Sequence, residues 1–216
     1  MKKIIITGGL GYIGTELCKI YSGESWNKKI IVIDNRFISE RVSQLRDWNI
    51  NFIHADIRDR DKIKYYLEDA DVVHHLAGIT DVARTEDESN SQADNELNDV
   101  AKNGTEIILS ETKADCKIIF PSTHVVFEGK QELVEDIKED YEKFPSLSYA
   151  KSKDFNEEQI KKSGKNFVIL RLGSVYGYST DTTRLNIMPN LFSKITSQDG
   201  TIRLFGGGKQ LKTLVP

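Results

Sequence analysis

Short apolar runs alternate with longer amphipathic stretches along most of the chain. Six of these runs are rich in β-branched residues: KKIIIT, KIIVID, NFIHAD, DVVHHL, KIIFPS and NFVILR. Each is followed by turn-forming residues and then by apolar positions at helical spacing. Residues 4–6 and 30–33 are apolar on both faces, as strands of a parallel sheet are when helices cover each side. The pattern therefore predicts an α/β fold with a doubly wound parallel sheet.

The amphipathic stretches predict crossover helices over residues 12–21, 59–68, 94–113 and 146–162. The acidic segment 85–99 is interpreted as a solvated loop and helix entry, with carboxylates near the positive end of the helix. From residue 178 the alternation loosens into a polar loop, a short helix at about 187–195, a strand TIRLF and a Gly-rich turn. Because no closing element precedes Pro216, we expect the sequence to be incomplete at that end.

Composition and charge exclude several classes of protein. The 216 residues include 30 Lys and Arg against 33 Asp and Glu, a formal charge of −3, so the chain lacks the basic footprint of a nucleic-acid binder. No apolar run approaches the length of a signal-peptide core or a membrane span. Cys18 and Cys116 have no metal-ligand spacing and are typical of reduced core thiols. These features predict a soluble, cytoplasmic protein without nucleic-acid or membrane partners.

A glycine-rich turn, TGGLGYIG, follows the first predicted strand directly. Its Gly8, Gly11 and Gly14 are spaced G-x-x-G-x-x-G, and a helix opens at Tyr12 and Ile13. Glycine is needed where the chain turns tightly, where it approaches a pyrophosphate and where helix packs on strand, and the helix N-terminus then faces the phosphates. The turn predicts a dinucleotide site, although a glycine turn alone also occurs without a ligand.

The second strand ends in Asp34, twenty positions after Gly14. A carboxylate there accepts hydrogen bonds from the adenosine ribose hydroxyls and repels a 2′-phosphate, which favours NAD over NADP. Asn35 follows at the same strand end. Arg36 leaves NADP open, because its guanidinium could bind a 2′-phosphate.

Two more strand ends belong to the same predicted crevice. Asp56 and Ile57, in HADIRD, are placed to contact the adenine ring. The small residues of HLAG end the fourth strand where the backbone passes the cofactor, at Leu76, Ala77 and Gly78. The neighbouring His74 and His75 are interpreted as structural, and no metal site is predicted, because no other His or Cys stands at metal-ligand spacing.

The candidate chemistry lies in YAKSK, where Tyr149 and Lys153 are four residues apart on one face of a predicted helix. A tyrosine is a poor base at neutral pH, but a nearby ammonium and the positive nicotinamide ring of NAD⁺ stabilise its phenolate. Thr123, at the end of the fifth strand, is placed to hydrogen-bond the same reacting oxygen.

The motifs TGGLGYIG, DIRD, HLAG, PSTHVVFEG, YAKSK, LRLGSVYG and LFGGGKQ occur in an order that resembles the extended short-chain dehydrogenase/reductases. The resemblance is to the NAD-dependent nucleotide-sugar epimerase/dehydratase family and covers essentially the whole chain. It implies that Thr123 takes the Ser/Thr role, Tyr149 that of catalytic base and acid, and Lys153 that of the ribose-binding, pKa-lowering lysine. It also implies domains at 1–177, for NAD and the catalytic pair, and 178–216, part of a substrate lobe.

The chain also departs from the family pattern. Family dehydratases carry Asp-Glu after the catalytic Thr, whereas this chain has His124 and Val125, which argues against a 4,6-dehydratase. The resemblance further implies substrate contacts, in addition to Thr123, from Ser174, Arg184, Asn190 and Lys212. Lys212 stands where relatives place an Arg on the diphosphate.

The leading hypothesis is an epimerase of a nucleotide-diphosphate sugar that oxidises the sugar transiently, at C4. Two alternatives stay open: a net dehydrogenase or 4-keto reductase of a nucleotide sugar, and a non-catalytic NAD-binding sensor or scaffold. The resemblance implies a homodimer formed through the helices predicted at 94–113 and 146–162.

Overall fold

The computed structural model describes residues 1–80, 90–130, 134–179, 185, 187–209 and 211–216. Arg184 and residues 85–89 of the acidic segment, for which the sequence makes predictions, lie outside these described residues.

Six parallel strands form one sheet, in the spatial order β3-β2-β1-β4-β5-β6. This arrangement confirms the predicted doubly wound α/β fold. The order reverses between β1 and β4, and in such sheets a crevice opens at the carboxyl ends of the strands beside that point. The strands are β1 (Lys2–Thr7), β2 (Lys28–Asp34), β3 (Asn51–His54), β4 (Val72–His75), β5 (Lys117–Thr123) and β6 (Asn166–Leu172).

Helices lie between successive strands of the sheet and after its last strand in the chain. They are α1 (Tyr12–Gly23), α2 (Ser39–Asp47), α3 (Arg60–Leu67), α4 (Ser91–Asp99), α5 (Thr105–Glu111), α6 (Ser148–Lys162) and α7 (Met188–Ser197). A π-helical turn, Val100–Gly104, joins α4 to α5, so the helix predicted over 94–113 is interrupted by one wide turn. None of the described helices is long and apolar enough to cross a membrane.

The apolar strand residues pack on both sides of the sheet. Ile5, Ile31 and Phe120 belong to one buried cluster, and Ile4 and Val32 belong to another. Consecutive residues of a strand point to opposite faces, so the unbroken apolar runs supply both clusters at once. Burial of both faces explains why the strands show no polar alternation.

The two strand-end histidines form hydrogen bonds within the core. His75 Nδ1 lies 2.9 Å from Thr7 Oγ1 and its Nε2 lies 3.0 Å from Thr105 Oγ1, and burial followed by the charge of Lys153 lowers its pKa to about 3. His74 Nε2 lies 2.8 Å from the Tyr21 hydroxyl. Both histidines therefore have the structural role expected from the sequence.

The region after β6 differs from the prediction at one element. Residues 201–204, predicted as the start of a strand, are not in a strand, and Leu204 is 60% exposed. The short strand β8 (Leu214–Val215) instead pairs with β7 (Ser174–Val175). A strand needs a neighbouring strand to pair its backbone hydrogen-bonding groups, and β8 is the strand that pairs with β7.

We expect Ile5→Ala to lower the free energy of unfolding by about 3 kcal/mol, because Ile5 is fully buried in β1 and its loss leaves a cavity. Urea unfolding followed by circular dichroism measures the change. The control is Ile20→Ala, which removes a side chain that is 62% exposed and should change stability by less than about 0.5 kcal/mol. Equal losses in the two variants would contradict the described core.

Candidate active site

A cavity of about 660 Å³ lies at the carboxyl ends of the parallel strands. All the residues predicted to bind a cofactor line it, as do Thr123 and Ser174 from the predicted substrate set. The structure therefore brings the glycine turn, the acidic strand ends and the Tyr-Lys pair to one place. The predicted cofactor residues along its wall are Gly8, Gly11, Tyr12, Ile13, Gly14, Asp34, Asn35, Asp56, Ile57, Leu76, Ala77, Gly78, Tyr149 and Lys153.

Neighbouring backbone atoms leave no room for side chains at Gly8 and Gly14 of the glycine turn. Gly8 has φ +68°, and a Cβ there would lie 2.7 Å from the backbone nitrogen of Ala77 on the neighbouring strand end. A Cβ on Gly14 would lie 2.5 Å from the carbonyl oxygen of Gly8. The first amides of α1 have no acceptor within the helix. Gly11, which stands at the N-cap, has no side chain to accept a hydrogen bond from them. The turn is thus shaped to receive a diphosphate.

Asp34 connects the end of β2 to the glycine turn. Its side chain is nearly fully buried, and Oδ2 accepts a hydrogen bond from the Leu10 amide at 3.0 Å. Oδ1 accepts from the Arg36 amide at 2.9 Å and from Arg36 Nε at 3.3 Å. Because a carboxylate offers about four acceptor positions, capacity remains for a ribose hydroxyl. Arg36 also brings a positive charge to the rim of the site.

Asp56 is bound by a basic partner that the sequence did not reveal. Arg58 donates through Nε and Nη2 to the two oxygens of Asp56, at 3.0 and 2.9 Å. These bonds lower the pKa of Asp56 to about 2. Arg58 also contacts Asp99 and Glu96 of α4, at 2.6 and 2.9 Å. The carboxylate is therefore held rigidly at the cavity wall and remains ionised.

Lys153 is buried beside the end of β5. Its Nζ donates to the carbonyl oxygen of Pro121 at 3.0 Å and lies 4.5 Å from the centre of the Phe120 ring. The same nitrogen is 5.9 Å from the centre of the Tyr149 ring. Burial lowers the pKa of Lys153 to about 8, and the charge of Glu157 opposes this effect. The structure thus places an ammonium next to the phenol of Tyr149, which is half-buried at the cavity.

Thr123 and His124 end the same strand with different partners. Thr123 Oγ1 accepts a hydrogen bond from the Val125 amide at 3.3 Å, so its hydroxyl proton can be donated into the cavity. His124 Nδ1 donates to the carbonyl oxygen of Leu172 at 3.1 Å. This fixes the imidazole against β6, and Val125 contributes only an apolar side chain.

Two of the predicted substrate residues do not line the cavity. Asn190 accepts from the Gly177 amide at 3.1 Å and donates to the Tyr12 hydroxyl at 3.2 Å. Tyr12 in turn donates to the Gly177 carbonyl oxygen, and Ser179 Oγ donates to the Tyr12 carbonyl oxygen at 3.2 Å. We call this group, Tyr12 with Gly177, Ser179 and Asn190, the clasp. Lys212 is exposed and also lies outside the cavity lining.

The site contains residues that sequence reasoning missed. Besides Arg58, these are the carbonyl of Pro121 and the buried carboxylate of Glu157. Glu157 stands four residues after Lys153 and eight after Tyr149, so helical spacing was the available signal. Among the residues that the structure describes, no group of three or more His, Cys, Asp or Glu side chains is placed to hold a metal ion.

The fold and this cavity define the class of protein: a dinucleotide-binding α/β domain with a Tyr-Lys pair at the same crevice. Residues 4–215 match the NAD dependent epimerase/dehydratase family, and the chain belongs to that family.

Relatives of this chain carry out several reactions. It is 28% identical over 222 residues to the UDP-N-acetyl-alpha-D-glucosaminuronate decarboxylase of Bacillus cytotoxicus, covering 98% of this chain and 66% of the relative. It is 27% identical over 200 residues to the dTDP-D-glucose 4,6-dehydratase of Dictyostelium discoideum, covering 82% and 44% of the two chains. Several of the curated relatives that it matches are thus about twice as long as the matched part.

A solved structure shows the same architecture. The UDP-glucuronic acid 4-epimerase of Bacillus cereus, determined in complex with UDP-glucuronic acid and NAD, superimposes with a TM-score of 0.80 at 27% identity. The match covers 98% of this chain and 68% of that one.

We expect Lys153→Met to stabilise the fold by about 2 kcal/mol at pH 7, since the variant no longer buries a charge. The pKa of Lys153 is about 8 when folded, against 10.5 as the ordinary value. Below pH 8 the Lys153 amine is protonated in both the folded and the unfolded chain, so the full free-energy cost of burying its charge is present. Between pH 8 and 10.5 only the unfolded chain still carries it, so the wild-type protein gains stability as pH rises. The advantage of the variant should therefore shrink toward pH 10.

Urea unfolding of both proteins at pH 7 and pH 10 measures this difference. A matched control is Lys151→Met on the exposed side of α6, for which no such pH dependence is expected. A Lys153→Met effect that is the same at both pH values would contradict the burial of an ammonium at this position.

Proposed function

We propose that this chain is part or all of an NAD-dependent epimerase that acts on a nucleotide-diphosphate sugar by transient oxidation to a keto sugar, at C4. One observation carries the proposal. Tyr149 and Lys153 lie on the wall of the same cavity as the glycine turn and the Asp34 strand end. A dinucleotide held by that turn and a substrate hydroxyl held at Tyr149 would meet in one cavity.

The residues of the turn fit NAD. The bare backbone at Gly8 and Gly14 and the first amides of α1 would hold the diphosphate. The remaining capacity of Asp34 would take the adenosine ribose, with Asn35 beside it. Asp56 and Ile57 would contact the adenine ring, and the backbone at residues 76–78 would pass beside the cofactor. When bound, NAD supplies a hydride acceptor and later returns the hydride.

The chain's own residues would handle the proton. The Lys153 ammonium favours the ionised form of the neighbouring phenol, so Tyr149 can accept the proton of the sugar hydroxyl while the carbon is oxidised. Thr123, whose Oγ1 already accepts from Val125, can donate its own proton to the same sugar oxygen. After the keto sugar has rotated to present its other face, Tyr149 returns the proton to the oxygen, and no net oxidation remains.

The residues after Thr123 favour epimerisation over water elimination. A dehydratase needs an acid and a base beside the sugar. Here His124 donates its Nδ1 proton to the Leu172 carbonyl at 3.1 Å, and Val125 has no titratable group. The structure therefore offers no paired acid and base at these two positions.

The substrate class is proposed from the relatives. The Bacillus cereus structure contains UDP-glucuronic acid, and both cited relatives have nucleotide sugars in their names. We propose a division into a NAD and catalytic domain at 1–177 and part of a substrate lobe at 178–216. Arg184 in the second part and Ser174 in the first are proposed to contact the substrate, and Lys212 in the second part is proposed to bind its diphosphate. Asn190 would reach the substrate only by leaving the clasp.

Homodimerisation and a cytoplasmic location are also part of the proposal. Phe155 is 45% exposed on α6, one of the two helices expected to pair with a second copy. Cys18 and Cys116 are free and buried, and burial raises their pKa values to about 12 and about 11. Free thiols are typical of proteins from reducing compartments, which supports a cytoplasmic location.

We expect NAD to bind at least about tenfold more tightly than NADP, because a 2′-phosphate would contact the Asp34 carboxylate with little room for water. Asp34→Ala should narrow this preference, with Arg36 then free to attract the phosphate. Calorimetric titration with both cofactors measures it, and Asp115→Ala, at an exposed carboxylate, is the control. Equal affinity of the wild-type protein for NAD and NADP would overturn the assignment of Asp34.

We expect Tyr149→Phe to lose activity by at least about a hundredfold while NAD still binds, because the ring remains but the proton acceptor is gone. UDP-glucose, UDP-galactose and UDP-glucuronic acid are the substrates to assay, with products separated by chromatography. Tyr65→Phe, at a side chain that is 74% exposed, is the control. Native turnover by the Tyr149→Phe variant would refute this mechanism, and steady accumulation of NADH by the wild-type protein would show net oxidation instead of epimerisation.

A further inference from the structure

Glu157 is a fully buried carboxylate that the mechanism above does not use. Its Oε1 accepts hydrogen bonds from Ser122 Oγ at 2.5 Å and from Arg171 Nε at 3.0 Å. Its Oε2 accepts from Arg171 Nη2 at 2.8 Å and from Lys143 Nζ at 3.4 Å. Buried charges are costly unless they are paired and hydrogen-bonded. Four donors on two oxygens show that this negative charge is built into the fold.

The position of Glu157 relates it to the catalytic pair. Tyr149, Lys153 and Glu157 follow one another at intervals of four residues along α6, so they share one face of the helix. Tyr149 and Lys153 line the cavity, and Glu157 lies one turn further along, behind them as seen from the ligand site. It can therefore act on the reaction only through its neighbours.

One route runs through the end of β5. Ser122, which donates to Glu157, stands between Pro121 and Thr123, and the carbonyl oxygen of Pro121 accepts the hydrogen bond from Lys153 Nζ at 3.0 Å. Arg171 lies directly opposite Ser122 on β6 and binds the same carboxylate. Glu157 thus ties α6 to two adjacent strand ends at the point where the site groups emerge.

The other route is electrostatic. Groups from three elements face Lys153. They are Tyr149 and Glu157 on α6, the neutral His75 on β4, and the Phe120 ring and Pro121 carbonyl on β5. Beyond Glu157 stand two further cations, Arg171 on β6 and Lys143 from the segment before α6. The described carboxylates Asp154 and Glu158 also contact Lys143.

The titration behaviour agrees with this arrangement. Burial lowers the pKa of Lys153 to about 8, and Glu157 acts in the opposite direction. Burial alone would raise the pKa of Glu157, but hydrogen bonds from Arg171 and Ser122 and the charges of Arg171 and Lys143 lower it below its ordinary value. Glu157 is therefore ionised wherever Lys153 titrates.

We propose that Glu157 is a positioning residue for the Tyr149–Lys153 pair. Glu157 fixes the end of β5 through Ser122, and its negative charge keeps the Lys153 side chain in its charged form. The arrangement of β5 and the charge of Lys153 are properties of this chain by itself. Only the consequence for catalysis rests on the proposed function.

The first test follows the Lys153 amine by nuclear magnetic resonance in protein with isotope-labelled lysine, over a pH titration. Loss of a signal in Lys153→Met assigns the resonance. We expect a midpoint near pH 8 in the wild-type protein and a midpoint lower by about one pH unit in Glu157→Gln. Glutamine has nearly the same shape but no charge, and it leaves Arg171 and Lys143 without their shared anion. A midpoint unchanged within about 0.3 would overturn the electrostatic part of the proposal.

The matched control is Glu158→Gln. Glu158 is the next residue of the helix, binds the same Lys143 at 3.0 Å and is partly exposed, but it makes no described contact with Ser122. We expect the Lys153 midpoint to stay within about 0.3 of the wild-type value in this variant. A shift as large as that of Glu157→Gln would show a general charge effect and overturn the specific role of Glu157.

The second test keeps the charge and removes the tether, so it remains informative if Glu157→Gln fails to fold. Ser122→Ala should leave the midpoint of the Lys153 titration nearly unchanged. It should speed hydrogen exchange of the peptide over residues 117–125 by about tenfold, because one charge-assisted hydrogen bond is lost. Mass spectrometry measures the exchange, with the peptide over β2 as internal reference. Unchanged exchange at the end of β5 would overturn the tethering part.

The functional consequence is tested by NAD affinity across pH. In the wild-type protein the affinity should fall as pH rises through about 8, and in Glu157→Gln the fall should begin about one pH unit lower. Parallel profiles for the two proteins would overturn the positioning role. Absence of NAD binding by the wild-type protein at every pH would instead overturn the proposed function, while the lysine titration would still decide the role of Glu157.

Discussion

The distance between the end of β1 and the end of β4 is the constraint on which the rest of the site depends. Thr7, the last residue of β1, holds both His75 of β4 and the Ala77 amide through its hydroxyl oxygen, at 2.9 and 3.2 Å. This buried contact brings the following turn so near to Ala77 that only glycine fits at position 8. Because β5 pairs with β4, the same contact also sets how far the end of β5, with Thr123, lies from the turn.

The two sides of the cavity are built by different physical means. The nucleotide side relies on backbone: bare glycines, helix amides and carboxylates that bind neighbouring main-chain nitrogens. The side with the Tyr149–Lys153 pair relies on buried charge, with Lys153, Glu157 and Arg171 packed between α6 and the strand ends. Buried charges lower stability relative to a well-packed apolar core, but they present fixed electrostatic groups that need no rearrangement when a ligand arrives. On that side, stability is therefore exchanged for preorganisation.

Much of the sheet and most of the cavity wall were predictable because each depends on a local pattern. Strands buried on both faces are continuous apolar runs, and the glycine turn, Asp34 and the Tyr-Lys pair are short motifs. Helix α2 was missed because SERVSQLRD buries only Arg41 and Leu45 and so lacks an apolar stripe. The strand expected at 201–205 was wrong because pairing, which a single segment does not encode, goes to Leu214–Val215. Glu157 resembled a solvated helix charge, since its four donors come from distant segments.

The clasp at Tyr12 joins parts of the chain that are far apart in sequence. Tyr12 is 165 residues from Gly177 and 178 residues from Asn190, whereas the glycine turn that precedes it is completed by β1, β2 and β4. Contacts of such long range require the closure of very large loops and reduce folding speed. We therefore expect the nucleotide turn to form early and the clasp to close among the last steps. The Tyr12 side chain would then report when the end of the chain has docked onto its beginning.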